Sequence, residues 1–149
     1  MTVHTKPFGA IDVDERQRLL FPHGIFGFES LRDFVLLDSE QPPFYWLQSL
    51  EEPGLAFVLM EPSFFRPDFT LEIPKEDMEE IGIEGGDDTL VFAIVTIPED
   101  QSKMSANLQG PVVVNKRARV ARQSISTNPS WRVRHYILDE IGAVRERAC

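Results

Sequence analysis

Residues 106–115 read ANLQGPVVVN, and the class of fold turns on how this stretch is taken. Val112, Val113 and Val114 are β-branched, and branching at Cβ suits a pleated strand better than a helix. Gly110 and Pro111 read as a turn, with Pro111 as the first strand residue, a position that need not donate to a ladder. Asn107 and Gln109 carry amides, which are neither nucleophiles nor bases at neutral pH. The stretch therefore has the chemistry of a turn feeding a strand. Its two amides either shape that turn or face a partner.

The same punctuation recurs along the chain, with Pro and Gly set singly between short apolar runs. GAIDVD alternates, with Ile11 and Val13 on one face, and QRLLF ends at Pro22. FVLLD (34–38) and FYWLQSL (44–50) are separated by the turn-like SEQPP. LAFVLM (55–60) is apolar throughout, the pattern of a strand covered on both faces. FTLEI (69–73) alternates, LVFAIVTI (90–97) is the longest apolar run, and RVARQSI follows PVVVN. WRVRHYI sets Trp131, Val133, His135 and Ile137 on one predicted face. PKEDMEEIGIEGG is the clearest helical stretch, with Pro74 in its first turn, early acids, and Met78 and Ile81 on one side. The expectation is an all-β fold: one small barrel-like or sandwich-like domain over 1–149, with about ten short strands and one short helix. Residues 139–149 are expected to form a flexible or helical tail.

Charge and motifs narrow the function. Of the 149 residues, 42% are hydrophobic and 26% charged, as in ordinary globular domains. The net charge is −9, and the acids concentrate in residues 1–100 while residues 101–149 are basic. An acidic chain is a poor match for phosphates and a fair one for a basic partner. His4, His23 and His135 lack ligand spacing, and the one cysteine is Cys149, so a metal centre has no visible ligand set. No phosphate-binding glycine loop or nucleophile motif is present, and the glycines of IEGGDD precede two acids that would repel phosphate. These features predict no cofactor and no enzyme. The absence of a long apolar run or a signal-like start, with the single cysteine, predicts a cytoplasmic protein off the membrane.

FPHGIFGFESLRDF (21–34) brackets Ile25 and Phe26 between Gly24 and Gly27. Such glycines support either a protruding apolar contact loop or a buried corner. With FYWLQSLEEPGLAFVLMEP, with SANLQGPVVVN, and with ARQSI and WRVRHYIL after it, the order and spacing resemble the FliW family of flagellar assembly factors over about residues 8–138. The resemblance implies a β-rich, non-catalytic domain. It implies binding to the carbon storage regulator CsrA, a small RNA-binding dimer, which relieves repression of flagellin mRNA. It implies also that flagellin binds the factor and releases the regulator. The predicted free state is a monomer that binds no nucleic acid directly. Predicted partner contacts are Ile25, Phe26, Asn107 and Gln109, with the strand-end acids Glu51, Glu52, Asp68, Glu72, Asp87 and Asp88. The competing readings are a small-ligand barrel lined by phenylalanines and a hydrolase with paired acids.

Overall fold

The β-branched and aromatic runs form ten strands in the computed structural model, which describes residues 1–84 and 88–148. They are β1 (Thr2–Thr5), β2 (Gly9–Asp12), β3 (Arg18–Leu20), β4 (Asp33–Asp38), β5 (Phe44–Ser49) and β6 (Ala56–Met60), then β7 (Thr89–Thr96), β8 (Ser105–Asn115), β9 (Val120–Gln123) and β10 (His135–Tyr136). Two α-helices accompany them, α1 (Lys75–Glu80) and α2 (Ile137–Ala148). The first is the short helix expected from sequence, with Pro74 just outside it as the N-cap. The second is the tail.

The main sheet runs β10-β8-β7-β6-β5-β4-β3-β9, and β9 pairs again with β8. That last pairing closes seven strands into a barrel, with β10 added outside the ring. The closure leaves no long open edge along the seven, which removes the main liability of a flat sheet. It is weakest at β3–β9, where a single parallel pair, Leu20 with Val120, spans the seam.

Phe21, Phe34, Leu47, Leu59, Phe92, Val112 and Val114 fill the lumen, each no more than 2% exposed. Phe21 meets Phe34 edge-on at 5.1 Å, and Tyr45 meets Phe92 at 5.4 Å. A barrel of this strand number is just wide enough for its own side chains. The phenylalanines are therefore packing, which removes the physical basis for a ligand-filled lumen. Three clusters cover the outside: Met60, Phe65, Val95, Leu108 and Trp131 with Ile137 of α2; Val35 and Leu37 under the β1–β2 hairpin; and Val113 with Ile81, Ile83 and Met78 beside α1. LAFVLM meets apolar clusters on both faces as expected, Phe57 and Leu59 inward and Val58 and Met60 outward, although only Leu59 and Met60 are fully buried.

Three expectations need correction. Gly110 and Pro111 lie inside β8, which runs unbroken from Ser105 to Asn115. The ladder to β7 slips there, between Ile94 paired with Asn107 and Phe92 paired with Val112. The extra residues form a bulge, and a bulge is where a strand interior tolerates Pro. Residues 69–73 alternate in burial but pair with no strand. Val133 is 57% exposed, because the chain bends before β10 and breaks the alternation of WRVRHYI.

Candidate protein-binding rim

The β8 bulge anchors the site. Asn107 Oδ1 accepts from Gly110 N at 2.9 Å, bridging the bulge. Leu108 N and Gln109 N both donate to Arg132 O, and Ser126 N donates to Gln109 O at 2.7 Å. Gln123 Nε2 donates to Gly110 O at 2.9 Å, and its Oε1 accepts from Phe26 N at 3.0 Å. A side chain at position 110 would place Cβ 2.8 Å from that Nε2, so it would push the Gln123 amide out of its present place. Asn107 is thus a structural residue of the bulge. The Gln109 side chain is exposed.

Through Gln123 the bulge holds the loop between β3 and β4. Gly24 takes φ +66°, and a Cβ there would lie 2.6 Å from the Glu29 backbone, so the loop folds tightly onto itself. Phe28 N donates to Ile25 O at 2.6 Å, across a bend made by Gly27 at φ +89°. The two sequence alternatives therefore divide between neighbouring residues. Ile25 is 2% exposed and forms the buried corner, so it can serve a contact only by holding the loop; Phe26 is 48% exposed and protrudes. Phe28, outside the predicted set, is 39% exposed and leans edge-on against Phe57 at 5.3 Å.

The turn from β5 to β6 stands beside this loop. Buried Gln48 donates from Nε2 to the carbonyls of Ser49, Pro53 and Leu55, while its Oε1 accepts from Lys6 N. Ser49 Oγ accepts from the backbone of Glu51 and Glu52. Glu51 reaches across to the loop, accepting from Arg32 N at 2.7 Å and Asp33 N at 2.9 Å. These donors hold its carboxyl below the ordinary glutamate range. The Gly27 N–H, with that of Glu29 itself, does the same for Glu29. Both charges are fixed at neutral pH by hydrogen bonds to the ionised form. Between the loop and the turn lies an open groove of about 650 Å³ lined by Phe28, Glu29, Leu31, Glu52, Gly54 and Leu55.

The remaining predicted acids do not join this rim. β5 and β7 are each antiparallel to β6, so they run the same way. Glu51 and Glu52 follow the end of β5, whereas Asp88 precedes the start of β7, at the opposite rim and 3.9 Å from Arg117. Asp68 pairs with Arg66 at 2.8 Å. Glu72 accepts from Asn128 Nδ2 at 2.6 Å and Thr70 Oγ1 at 3.0 Å. Asp87 lies outside the described residues.

A second cluster had no signal in sequence, because its members lie far apart along the chain. Arg66 stacks on Trp131 at 4.9 Å and pairs with Glu140 of α2 at 2.5 Å. His135 Nδ1 bonds the same Glu140 oxygen at 2.8 Å, and its Nε2 faces Arg132 N at 2.8 Å. A backbone N–H can only donate, so Nε2 accepts and Nδ1 carries the proton. The cluster fastens α2 to the barrel. Among the described residues, no three His, Cys, Asp or Glu side chains converge as metal ligands, and no helix is long and apolar enough to cross a membrane.

Comparison with known proteins matches residues 2–137 to the family model described as FliW protein. A flagellar assembly factor FliW of Treponema denticola is 41% identical over 143 residues, covering 96% of this chain and 97% of the relative. That of Leptospira interrogans serogroup Icterohaemorrhagiae serovar Lai is 45% identical over 139 residues, covering 92% and 93%. A crystal structure of the flagellar assembly factor FliW superposes with a TM-score of 0.85 at 34% identity, covering 92% of this chain and 96% of that one.

Proposed function

The chain belongs to the FliW family, and on that premise we propose that it is a cytoplasmic flagellar assembly factor that works by exchanging protein partners. One partner is a CsrA-type RNA-binding regulator, whose repression of flagellin translation is relieved when it is bound. The other is flagellin, which occupies the factor and frees the regulator. The role is non-catalytic, and the free protein is a monomer with no direct contact to nucleic acid. The observation that carries the reading is the family match over residues 2–137, which spans the whole barrel. Its physical support is a rim where loops pinned by buried polar side chains present exposed aromatics beside fixed negative charge. Loops on a rigid scaffold are where binding residues concentrate, and an RNA-binding partner carries the basic surface that such charge attracts.

If the two partners exchange, each weakens the other by the same factor at equilibrium. Calorimetric titration of the regulator into a preformed complex with flagellin should show weaker binding than titration into the free protein. Equal affinity in the two titrations contradicts the exchange.

A further inference from the structure

We propose that the groove between the β3–β4 loop and the β5–β6 turn docks a basic segment of a partner protein, seating an aromatic or aliphatic side chain on Phe28 and Leu55 and a neighbouring Lys or Arg against Glu29 and Glu52. The inference deepens the partner-binding reading by giving the chemistry of the segment. It rests on that reading only in requiring that a protein partner exists.

Shape comes first. The groove has about 650 Å³ of space, enough for one large side chain and its flanking backbone. Its floor is apolar, formed by Phe28, Leu31 and Leu55, and Phe28 remains 39% exposed. An aromatic left open in a concavity gains contact area when a partner side chain covers it.

Charge selects the sign of the occupant. Glu29 and Glu52 line the groove, and Glu51 stands next to Glu52. Backbone N–H groups hold Glu29 and Glu51 ionised. No partner holds the Glu52 carboxylate among the described residues. Arg32 is exposed beside Glu51, Arg18 is taken up by Asp33 at 3.0 Å, and Lys6 meets the turn through its backbone N. The groove lining holds two carboxylates, Glu29 and Glu52, and no Lys or Arg, which leaves it negative. An anionic segment would be repelled, and a neutral apolar one would leave the carboxylates unpaired against it.

Preorganisation makes this surface a better dock than the other exposed apolar residues. Gln48 makes three hydrogen bonds that set the β5–β6 turn and a fourth that ties it to Lys6 N, and the loop is fixed by Gly24 and by Gln123. Little ordering cost remains to be met on this side of the contact.

The test uses the full-length protein, 15N-labelled, and three blocked peptides: acetyl-KLFKK-amide, its glutamate counterpart acetyl-ELFEE-amide, and acetyl-KAAKK-amide. The lysine-phenylalanine peptide should shift the amides of Gly27, Ser30 and Gly54 saturably. The alanine peptide should bind at least about 5-fold more weakly, and the glutamate peptide should leave these amides unmoved. The variant Glu29→Gln/Glu52→Gln should weaken the first peptide about 5-fold or more while keeping the dispersed spectrum, since the amide oxygen introduced at position 29 can still accept from Gly27 N. Absence of saturable shifts at the groove overturns the proposal, as does equal binding of all three peptides or an unaffected double variant. Concentration-dependent shifts at these amides without peptide would assign the groove to a second copy of the chain and likewise overturn it. Because no natural partner is used, the groove can fail while regulator and flagellin still exchange, and it can stand if they do not.

Discussion

Residues 111–115 of β8 and residues 69–73 both read as strands in the sequence and end in different structures. In 69–73 alternate side chains are half-buried, and in β8 Val112 and Val114 turn into the lumen while Val113 faces the outer cluster. In 69–73, Phe69 meets Trp131 at 5.0 Å, and Leu71 and Ile73 pack beside Ile81 and Val113. Yet only β8 carries a ladder on each side, to β7 and to β9 or β10. The segment 69–73 lies over the outside of the barrel, with Leu71 and Ile73 packed near Val113 on the outer face of β8, and it pairs with no strand. Its backbone is met piecemeal instead, with Glu72 O accepting from Thr127 N at 2.7 Å. The difference teaches that alternation reports which side chains are buried, whereas pairing depends on whether a neighbour has an unmatched edge.

The largest test of that contrast is a pair of truncations. Leu59, fully buried in the lumen, should cost about 2–5 kcal/mol as Leu59→Ala, because the closed barrel cannot collapse into the cavity. Leu71 is half-buried on the unpaired segment, and Leu71→Ala should cost about 1 kcal/mol, for the smaller area returned to water. Chemical denaturation of both variants measures the gap. Equal losses would mean that the outer segment is as much a part of the core as the lumen.

A smaller effect compares side-chain hydrogen bonds in the two regions. Asn107→Ala removes the acceptor for Gly110 N within the bulge and should cost about 1 kcal/mol or somewhat more. Asn128→Ala removes two exposed bonds, one to Glu72 and one from Ser130 N, and should stay within about 0.5 kcal/mol. Loss of the β8–β9 cross-peaks in an NMR spectrum of the Asn107 variant, beside an unchanged Asn128 variant, would show that the bulge depends on its amide. A silent Asn107→Ala would leave Gln123 and the backbone bonds with Arg132 and Ser126 to hold it.

The smallest effect extends the same rule to the rim. The Glu51 carboxyl is lowered by backbone donors it meets only in the folded chain. A depressed folded value means that the stabilisation is complete above the unfolded glutamate range and is lost as pH falls through the folded value. Wild type should therefore lose stability in acid slightly faster than Glu51→Gln, whose amide has no charge to lose. Denaturation midpoints between pH 7 and 3 check this, and superimposable profiles would show that the Arg32 and Asp33 donors do not select the ionised form.

Much of the candidate rim was legible in the chain, though in pieces. Gly24 and Gly27 marked a bend, and Ile25 and Phe26 marked it as apolar. Which of the two faced outward depended on the Ile25–Phe28 bridge, a contact that spacing alone does not favour over others. Glu51 and Glu52 were visible as acids after a strand. Glu29 and Phe28 join them only because the loop folds back beside the next turn. Asp88, an equally plausible acid by position in sequence, falls on the far rim because strand direction separates the two groups.

What the sequence determined by itself was local: the β-rich class, the approximate strands, the helix at 75–80, and which runs would be apolar on both faces. Those follow from steric preferences of single residues and from side-chain period, and both act within a few positions. The tertiary structure decided the rest. It closed the barrel through β8 and β9, kept Pro111 inside a bulged strand, denied 69–73 a partner, and joined Arg66 to Glu140 across the fold. Each of these turns on which hydrogen-bonding edge or charge is left unmatched once the other strands have paired, a quantity that no stretch of sequence carries alone.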